Sequence, residues 1–128
     1  RNMTRMANES CVQMNIVQLN IFDLPDHYDN FFDIVIEYTC FCAIDPIDRE
    51  KYLEMVSHIL KISGLFVGIL FPLDGNSNGS GPPFNIELDE TLGMFDKYLC
   101  RQKYEKSIHS IQSRKGREIF FIYKKNEV

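Results

Sequence analysis

A carboxylate, a phenol and a hydroxyl follow one another in this chain at Glu37, Tyr38 and Thr39. The residues just before them, FFDIVI at positions 31–36, are apolar and β-branched, which predicts a strand. An Asp-Pro pair at positions 45–46 comes soon after them and is typical of a helix N-cap followed by the first helical residue. Open parallel sheets bind ligands where strands end before helices, so we expect a binding or catalytic site at this strand end.

The composition is that of one ordinary globular domain. The 128 residues are 45% hydrophobic and 25% charged, with a net charge of -4. The basic residues Arg114, Lys115, Lys124 and Lys125 lie among acids, so we interpret them as a solvated face and expect no nucleic-acid partner. No apolar run is long enough to span a bilayer, so we expect no membrane partner. We also expect a cytoplasmic location and a monomer.

The cysteines give no sign of a metal site. The pair at Cys40 and Cys42 has C-x-C spacing, which is uncommon for zinc, and the other two cysteines lie at Cys11 and Cys100. We therefore predict reduced thiols and no metal.

Strands and a helix alternate in the first half of the chain. Apolar runs predict strands at residues 16–22, 34–38 and 65–71, the second of them buried on both faces. Apolar residues at helical spacing predict a helix over residues 46–61, ended by Gly64. A strand, a helix and a strand at this spacing indicate a parallel βαβ unit.

The second half predicts a different arrangement. Residues 72–86 are rich in Gly, Pro, Ser and Asn, which indicates a long binding loop, and residues 87–98 have the pattern of a helix. Residues 104–111 and 118–123 are predicted to form an antiparallel hairpin at one edge of the sheet, with a tight turn at residues 113–116.

At this point the chain resembles the thiopurine/thiol/halide methyltransferase family, whose members have a Rossmann-like fold and use S-adenosylmethionine. Four segments carry the resemblance: VQLNIFDLP at 17–25, FDIVIEYTCFCAIDP at 32–46, FPLDGNSNGSGPPF at 71–84 and SRKGREIFFI at 113–122. The resemblance implies an α/β fold with a mostly parallel sheet that ends in an antiparallel hairpin, here without its N-terminal strands.

The resemblance also suggests which residues meet the cofactor. Asn20 and Ile21 match adenine-contacting positions, although the family has an acidic residue and an aromatic one there. Tyr38 matches a position beside the methionine end of the cofactor and close to the acceptor, where an aromatic ring would attract a sulfonium. Tyr38 and Glu37 are the catalytic candidates. Glu37 is either a proton acceptor or a partner of backbone groups at the strand end.

The loop and the hairpin supply the substrate-binding candidates. Pro82, Pro83 and Phe84 resemble the family segment that closes over the acceptor. Arg117 has three open roles: an ion pair with Glu118, an ion pair with a loop carboxylate, or a contact with the substrate.

The implied activity is methyl transfer from S-adenosylmethionine to a thiol, thiopurine or halide. The alternative is a non-catalytic remnant of the fold that acts as a binding module or is inactive. The glycine-rich turn of the family, E/D-x-G-x-G, does not occur before residue 16. We therefore interpret residues 1–128 as a single, incomplete methyltransferase domain, and we expect about 60–100 further upstream residues on domain-size grounds.

Overall fold

The computed structural model describes residues 2–74, 81–106 and 110–126. Its sheet has four strands in the spatial order β1-β2-β4-β3. No helix in this part of the chain is long and apolar enough to cross a membrane. The elements are α1 (Asn2–Glu9), β1 (Phe32–Tyr38), α2 (Arg49–Ile59), β2 (Leu60–Leu70), α3 (Leu88–Tyr98), β3 (Cys100–Lys106) and β4 (Ile119–Lys124).

The predicted βαβ unit is confirmed. Strands β1 and β2 are parallel, with a register shift between Phe32 and Ile34 and with Tyr38 opposite Ile69. Before α2, the side chain of Asp45 accepts a hydrogen bond of 3.1 Å from the backbone N–H of Ile47, which caps a short 3₁₀ turn at Pro46–Asp48.

The C-terminal hairpin is confirmed as well. Strand β4 runs antiparallel to both β2 and β3 and pairs Ile119 with Leu70. Strand β3 begins at Cys100, four residues before the predicted start, and residues 107–109 of the predicted strand lie outside the described residues. Because β4 is antiparallel to β2, the residues just before Ile119 lie at the carboxyl ends of β1 and β2.

Helices α2 and α3 and one face of the sheet form the core. Phe95 of α3 and Phe121 of β4 are fully buried, and their ring centroids lie 5.3 Å apart. Phe66 of β2 lies 5.0 Å from Phe121 by the same measure, and Leu53 and Val56 of α2 are also fully buried in this core. Edge and tilted contacts of this kind are the favourable arrangements for packed aromatic rings.

The prediction that β1 is buried on both faces is wrong. Ile34 and Tyr38 are exposed, and Ile36 between them is 80% exposed, whereas Glu37 on the other face is buried. The buried residues of α2 and α3 belong to a core on one face of the sheet. Because successive side chains of a strand point to opposite faces, every second residue of β1 faces away from that core and meets solvent.

The predicted strand at residues 16–22 is also wrong. Residues 12–20 have no regular structure, and a 3₁₀ helix follows at Ile21–Asp26. None of the four described strands pairs with this segment, and an apolar run without a neighbouring strand has no partner for its backbone hydrogen bonds.

Gly64 does not end the helix as predicted. Helix α2 stops at Ile59, and Gly64 lies within β2, beside Ser63, which has a φ of 69°. A Cβ atom at Gly64 would lie 2.8 Å from the Lys61 carbonyl oxygen and 3.1 Å from that of Asp33. The glycine is therefore needed for close backbone approach in the strand rather than for a helix cap.

Truncation of Phe95 tests this core. We expect Phe95→Ala to lower the free energy of unfolding by about 3–5 kcal/mol, because the ring is fully buried among aromatic neighbours. Ile36→Thr, on the open face, should cost only about 0.5 kcal/mol. Urea unfolding of both variants measures the difference, and equal losses would contradict the assignment of the core to one face.

Candidate functional site

The buried carboxylate of Glu37 fixes the turn that follows β1. Its Oε2 accepts hydrogen bonds of 3.0 Å from the backbone N–H groups of both Cys40 and Phe41. Its Oε1 accepts a hydrogen bond from the hydroxyl of Tyr52 on α2. Burial and the Glu37 charge raise the pKa of Tyr52 well above its ordinary value, so this phenol remains a donor. Both oxygens of Glu37 are therefore engaged by the protein.

The backbone beside Glu37 is unusual at two positions. Thr39 has a φ of 64°, which a β-branched residue rarely adopts, and its hydroxyl donates a hydrogen bond of 2.6 Å to the Tyr38 carbonyl. On β2, Gly68 faces Glu37, and a Cβ atom there would lie 2.2 Å from the Glu37 carbonyl oxygen. The strand end is thus held in a tight and strained turn, a common feature of functional sites.

Tyr38 is held by two residues that precede β4. Its hydroxyl donates a hydrogen bond to Oε2 of Glu118 and accepts one of 2.6 Å from Nη1 of Arg114. The side chain of Glu118 is 1% exposed, and its Oε1 accepts a hydrogen bond of 2.6 Å from the Ser110 hydroxyl. Partial burial and the hydrogen bond to Glu118 raise the pKa of Tyr38, while Arg114 opposes that rise. Tyr38 is therefore a neutral phenol in a fixed position.

The guanidinium of Arg114 lies against two aromatic rings. Its Cζ atom is 4.5 Å from the centroid of the Phe71 ring and 5.1 Å from that of Tyr38. Its Nη1 atom lies 3.9 Å from Oε2 of Glu118. Cation–π contacts and a buried counter-charge together hold this arginine at the end of the sheet.

A cavity of about 260 Å³ opens beside these residues. We call it the Arg114 cavity, because Arg114 is the one charged residue among the described residues that line it. Its lining consists of Thr39, Cys42, Ala43, Phe71, Pro82, Pro83 and Arg114.

Two of the three predicted loop residues reach this cavity. Pro82 and Pro83 line it, whereas Phe84 does not belong to the described lining. The Phe84 N–H donates a hydrogen bond of 2.7 Å to the Cys42 carbonyl, and Nη2 of Arg49 donates one of 3.3 Å to the Phe84 carbonyl. Phe84 therefore anchors the end of the loop to the turn after β1. Residues 75–80 of the predicted loop lie outside the described residues.

Asn20 and Ile21 lie apart from the residues that line the cavity. Oδ1 of Asn20 accepts a hydrogen bond of 3.0 Å from the Phe22 N–H, so Asn20 caps the 3₁₀ helix at Ile21–Asp26. Ile21 packs partly buried against the core. The structure thus gives both residues a local role and does not bring them to Tyr38 through any described contact.

Arg117 forms an ion pair with a carboxylate of the loop, which is one of its three predicted roles. Its Nε pairs with Oδ2 of Asp74, and its Nη2 donates a hydrogen bond of 3.4 Å to Oδ1 of the same residue. Glu118 pairs instead with Arg114. Arg117 therefore holds the start of the loop against the hairpin.

The sequence interpretation missed Arg114 and Glu118 as site residues, and the solvated face predicted for Arg114 is wrong. The signal was nevertheless present, because the predicted hairpin pairs antiparallel to the parallel unit. That topology brings the residues preceding β4 to the edge where Tyr38 lies.

The cysteines near the site are protonated thiols. Burial, followed by the Glu37 charge, raises the pKa of Cys40 to about 11, and the same two causes raise the pKa of Cys42. All four cysteines are free. Among the described residues, no group of three or more His, Cys, Asp and Glu side chains is placed to hold a metal ion.

Comparison with known proteins decides the family. The model of the thiopurine S-methyltransferase family matches residues 2–125. The chain belongs to this family. A probable thiol methyltransferase 2 of Arabidopsis thaliana is 31% identical over 74 residues, which are 58% of this chain and 30% of the relative. A thiocyanate methyltransferase 1 of the same plant is 27% identical over 99 residues, which are 73% of this chain and 41% of the relative.

The recognised family and the Rossmann-like α/β fold are thereby confirmed. Among solved structures, the chain resembles the 1,6-didemethyltoxoflavin-N1-methyltransferase of Burkholderia thailandensis, which was solved with S-adenosylhomocysteine. The TM-score is 0.74 and the identity 14%, over 98% of this chain and 56% of that one. The chain spans less than half the length of the curated relatives that it matches.

The raised pKa of Cys40 predicts slow alkylation. At about pH 8 the thiolate fraction of Cys40 is very small, so we expect iodoacetamide to modify exposed Cys11 much faster than Cys40. In Glu37→Gln, loss of the nearby charge should lower the pKa of Cys40 and move its alkylation profile to lower pH. Mass spectrometry of the peptides measures both rates. A Cys40 rate equal to that of Cys11 in the unmodified chain would contradict the assigned burial and charge.

Proposed function

We propose that the protein to which this chain belongs transfers a methyl group from S-adenosylmethionine to a small, soft nucleophile of the thiol, thiopurine or halide type. The observation that carries this proposal is the Arg114 cavity at the carboxyl end of β1, lined by Thr39 and the two loop prolines. Membership of the thiopurine S-methyltransferase family supports it, and so does the position of the cavity at the usual ligand edge of an α/β sheet.

The described residues fit one part of the cofactor. Small-molecule pockets usually measure about 300–1,000 Å³, and the Arg114 cavity, at about 260 Å³, suits an acceptor and the reactive end of a donor rather than a whole nucleoside. By the family resemblance, Tyr38 would hold the methionine end, and Asn20 and Ile21 the adenine. When bound, S-adenosylmethionine supplies a methyl group activated by a positively charged sulfur.

Tyr38 would contribute its ring rather than its hydroxyl. The hydroxyl is already engaged by Glu118 and Arg114, whereas the side chain is 43% exposed. An aromatic ring held in one place can orient a neighbouring cation without moving a proton. Orientation of two reactants alone can contribute about 7–11 kcal/mol to a displacement of this kind.

Glu37 has a positioning role in this proposal. Both of its oxygens accept hydrogen bonds from the protein, and the residue is only 2% exposed. Of the two roles that the sequence left open, the geometry favours the bond to backbone groups at the strand end. Glu37 thus shapes the turn that carries Thr39 and Cys42 into the cavity wall.

Calorimetric titration with S-adenosylhomocysteine tests the proposal, because this product binds where the methyl donor binds. We expect saturable binding by the full product of the gene and methyl transfer to a thiol or thiocyanate. Absence of binding by both this chain and the full gene product would contradict the proposal and favour the non-catalytic remnant.

Tyr38→Phe refines this test. Loss of the hydroxyl removes the hydrogen bonds that hold Glu118 and Arg114, so we expect methyl transfer to fall about tenfold. Tyr104→Phe is the matched control, because Tyr104 on β3 is similarly exposed, at 46%. An equal effect of the two variants would contradict the placement of the site at Tyr38.

A further inference from the structure

Arg49, at the start of α2, is a buried cation without an ion-pair partner. The residue is only 6% exposed, and its Nε atom has no hydrogen-bond partner within the described part of the chain. None of the ion pairs among the described residues involves it. Burial lowers the pKa of Arg49 from its ordinary value, although the charge of Glu90 opposes that shift. Because a buried charge without an ion pair is costly, packing of the core does not account for an arginine at this position.

The guanidinium of Arg49 joins the end of the loop to the turn after β1. Its Nη2 atom donates hydrogen bonds of 3.3 Å to the Phe84 carbonyl and 3.1 Å to the Asn85 carbonyl. Its Cζ atom lies 4.9 Å from the centroid of the Phe41 ring, and the Phe41 N–H donates to the buried carboxylate of Glu37. Hydrogen bonds from a charged donor are stronger than those between neutral groups, so Arg49 is a firm connection between these two segments.

The position of Phe84 determines the position of one wall of the Arg114 cavity. Pro82 and Pro83 line that cavity and directly precede Phe84. A Cβ atom at Gly81 would lie 2.5 Å from the Phe84 ring, so the segment from Gly81 to Phe84 folds closely onto itself. The pyrrolidine rings fix φ at both prolines, so this short segment has little internal freedom. A shift of Phe84 away from Cys42, whose carbonyl its N–H meets at 2.7 Å, would therefore carry the proline wall with it.

We propose that Arg49 is a positioning residue that holds the proline wall in place and thereby limits the size of the acceptor that the Arg114 cavity admits. This inference rests on the proposed function and deepens it, since it concerns the selection of acceptors. Arg49 does not belong to the described lining and acts through Phe84 and the two prolines. With the wall held, the cavity of about 260 Å³ suits a small acceptor. With the wall released, a bulkier acceptor fits.

Arg49→Met in this chain separates a positioning role from a purely structural one. Methionine fills much of the same space but removes the buried charge and both hydrogen bonds to the loop. We expect the urea midpoint to be retained or raised, because replacing a buried charge with an apolar side chain is often neutral or stabilising. Hydrogen exchange of the Phe84 amide should become about tenfold faster or more, while the Phe66 amide in the core keeps its rate.

Arg101→Met is the matched control. Arg101 on β3 also donates from its side chain, to Asp96 and Tyr123, and has no described contact with the loop. Its substitution should leave exchange of the Phe84 amide unchanged. An unchanged Phe84 rate in Arg49→Met would overturn the inference. So would equal acceleration at Phe84 and Phe66, or loss of the folded state, because either result would make Arg49 a structural residue of the core.

Acceptor size is measured on the full product of the gene. We would compare kcat/KM for 2-naphthalenethiol, a bulky thiol, with kcat/KM for 2-mercaptoethanol, a small one. In Arg49→Met the ratio of the bulky to the small acceptor should rise about tenfold or more, with the Kd for S-adenosylhomocysteine unchanged. A general loss of stability would lower both values together and leave the ratio unchanged, which would overturn the inference. Failure to bind S-adenosylhomocysteine would instead contradict the proposed function, and the exchange rates of the chain alone do not depend on it.

Discussion

The buried carboxylate of Glu37 is the interaction on which the rest of the site depends. A carboxylate taken out of water is strongly destabilising unless hydrogen bonds compensate it. Here two backbone N–H groups and the Tyr52 hydroxyl provide that compensation. The same bonds link the end of β1 to α2 and fix the turn at Thr39. The wall of the Arg114 cavity is therefore set by the need to satisfy one buried charge.

The antiparallel strand β4 supplies the other half of the site. Its pairing with β2 brings Arg114 and Glu118 to Tyr38, which is about eighty residues away in the sequence. The two halves meet through a phenol that donates to a carboxylate and accepts from a guanidinium. Because these three side chains are hydrogen-bonded to one another, we expect substitutions of them to have coupled rather than additive effects on stability and on ligand binding.

The sequence predicted the elements that have strong local signals. The parallel pair, both core helices and the final hairpin follow from apolar periodicity and turn residues. The site at the end of β1 stays a prediction. The prediction of a strand at residues 16–22 is wrong because strand pairing depends on a neighbouring strand and not on the local sequence. The prediction that Gly64 ends the helix is wrong because the sequence alone cannot distinguish a glycine needed for close backbone approach from one that caps a helix. Arg114 was missed because an arginine next to Lys115 in a polar turn looks solvated until topology places it against two rings.

Hydrogen exchange at the amides of Cys40 and Phe41 tests most directly whether Glu37 holds the site. In the unmodified chain we predict strong protection of both amides, since each donates to the buried carboxylate. In Glu37→Gln a single acceptor oxygen must serve the two amides and the Tyr52 hydroxyl. We therefore expect the protection of the Cys40 and Phe41 amides to fall about tenfold or more, while the protection of the Phe66 amide in the core is retained. Exchange of Cys40 and Phe41 at the rate of an open loop, or protection unchanged in Glu37→Gln, would contradict the account.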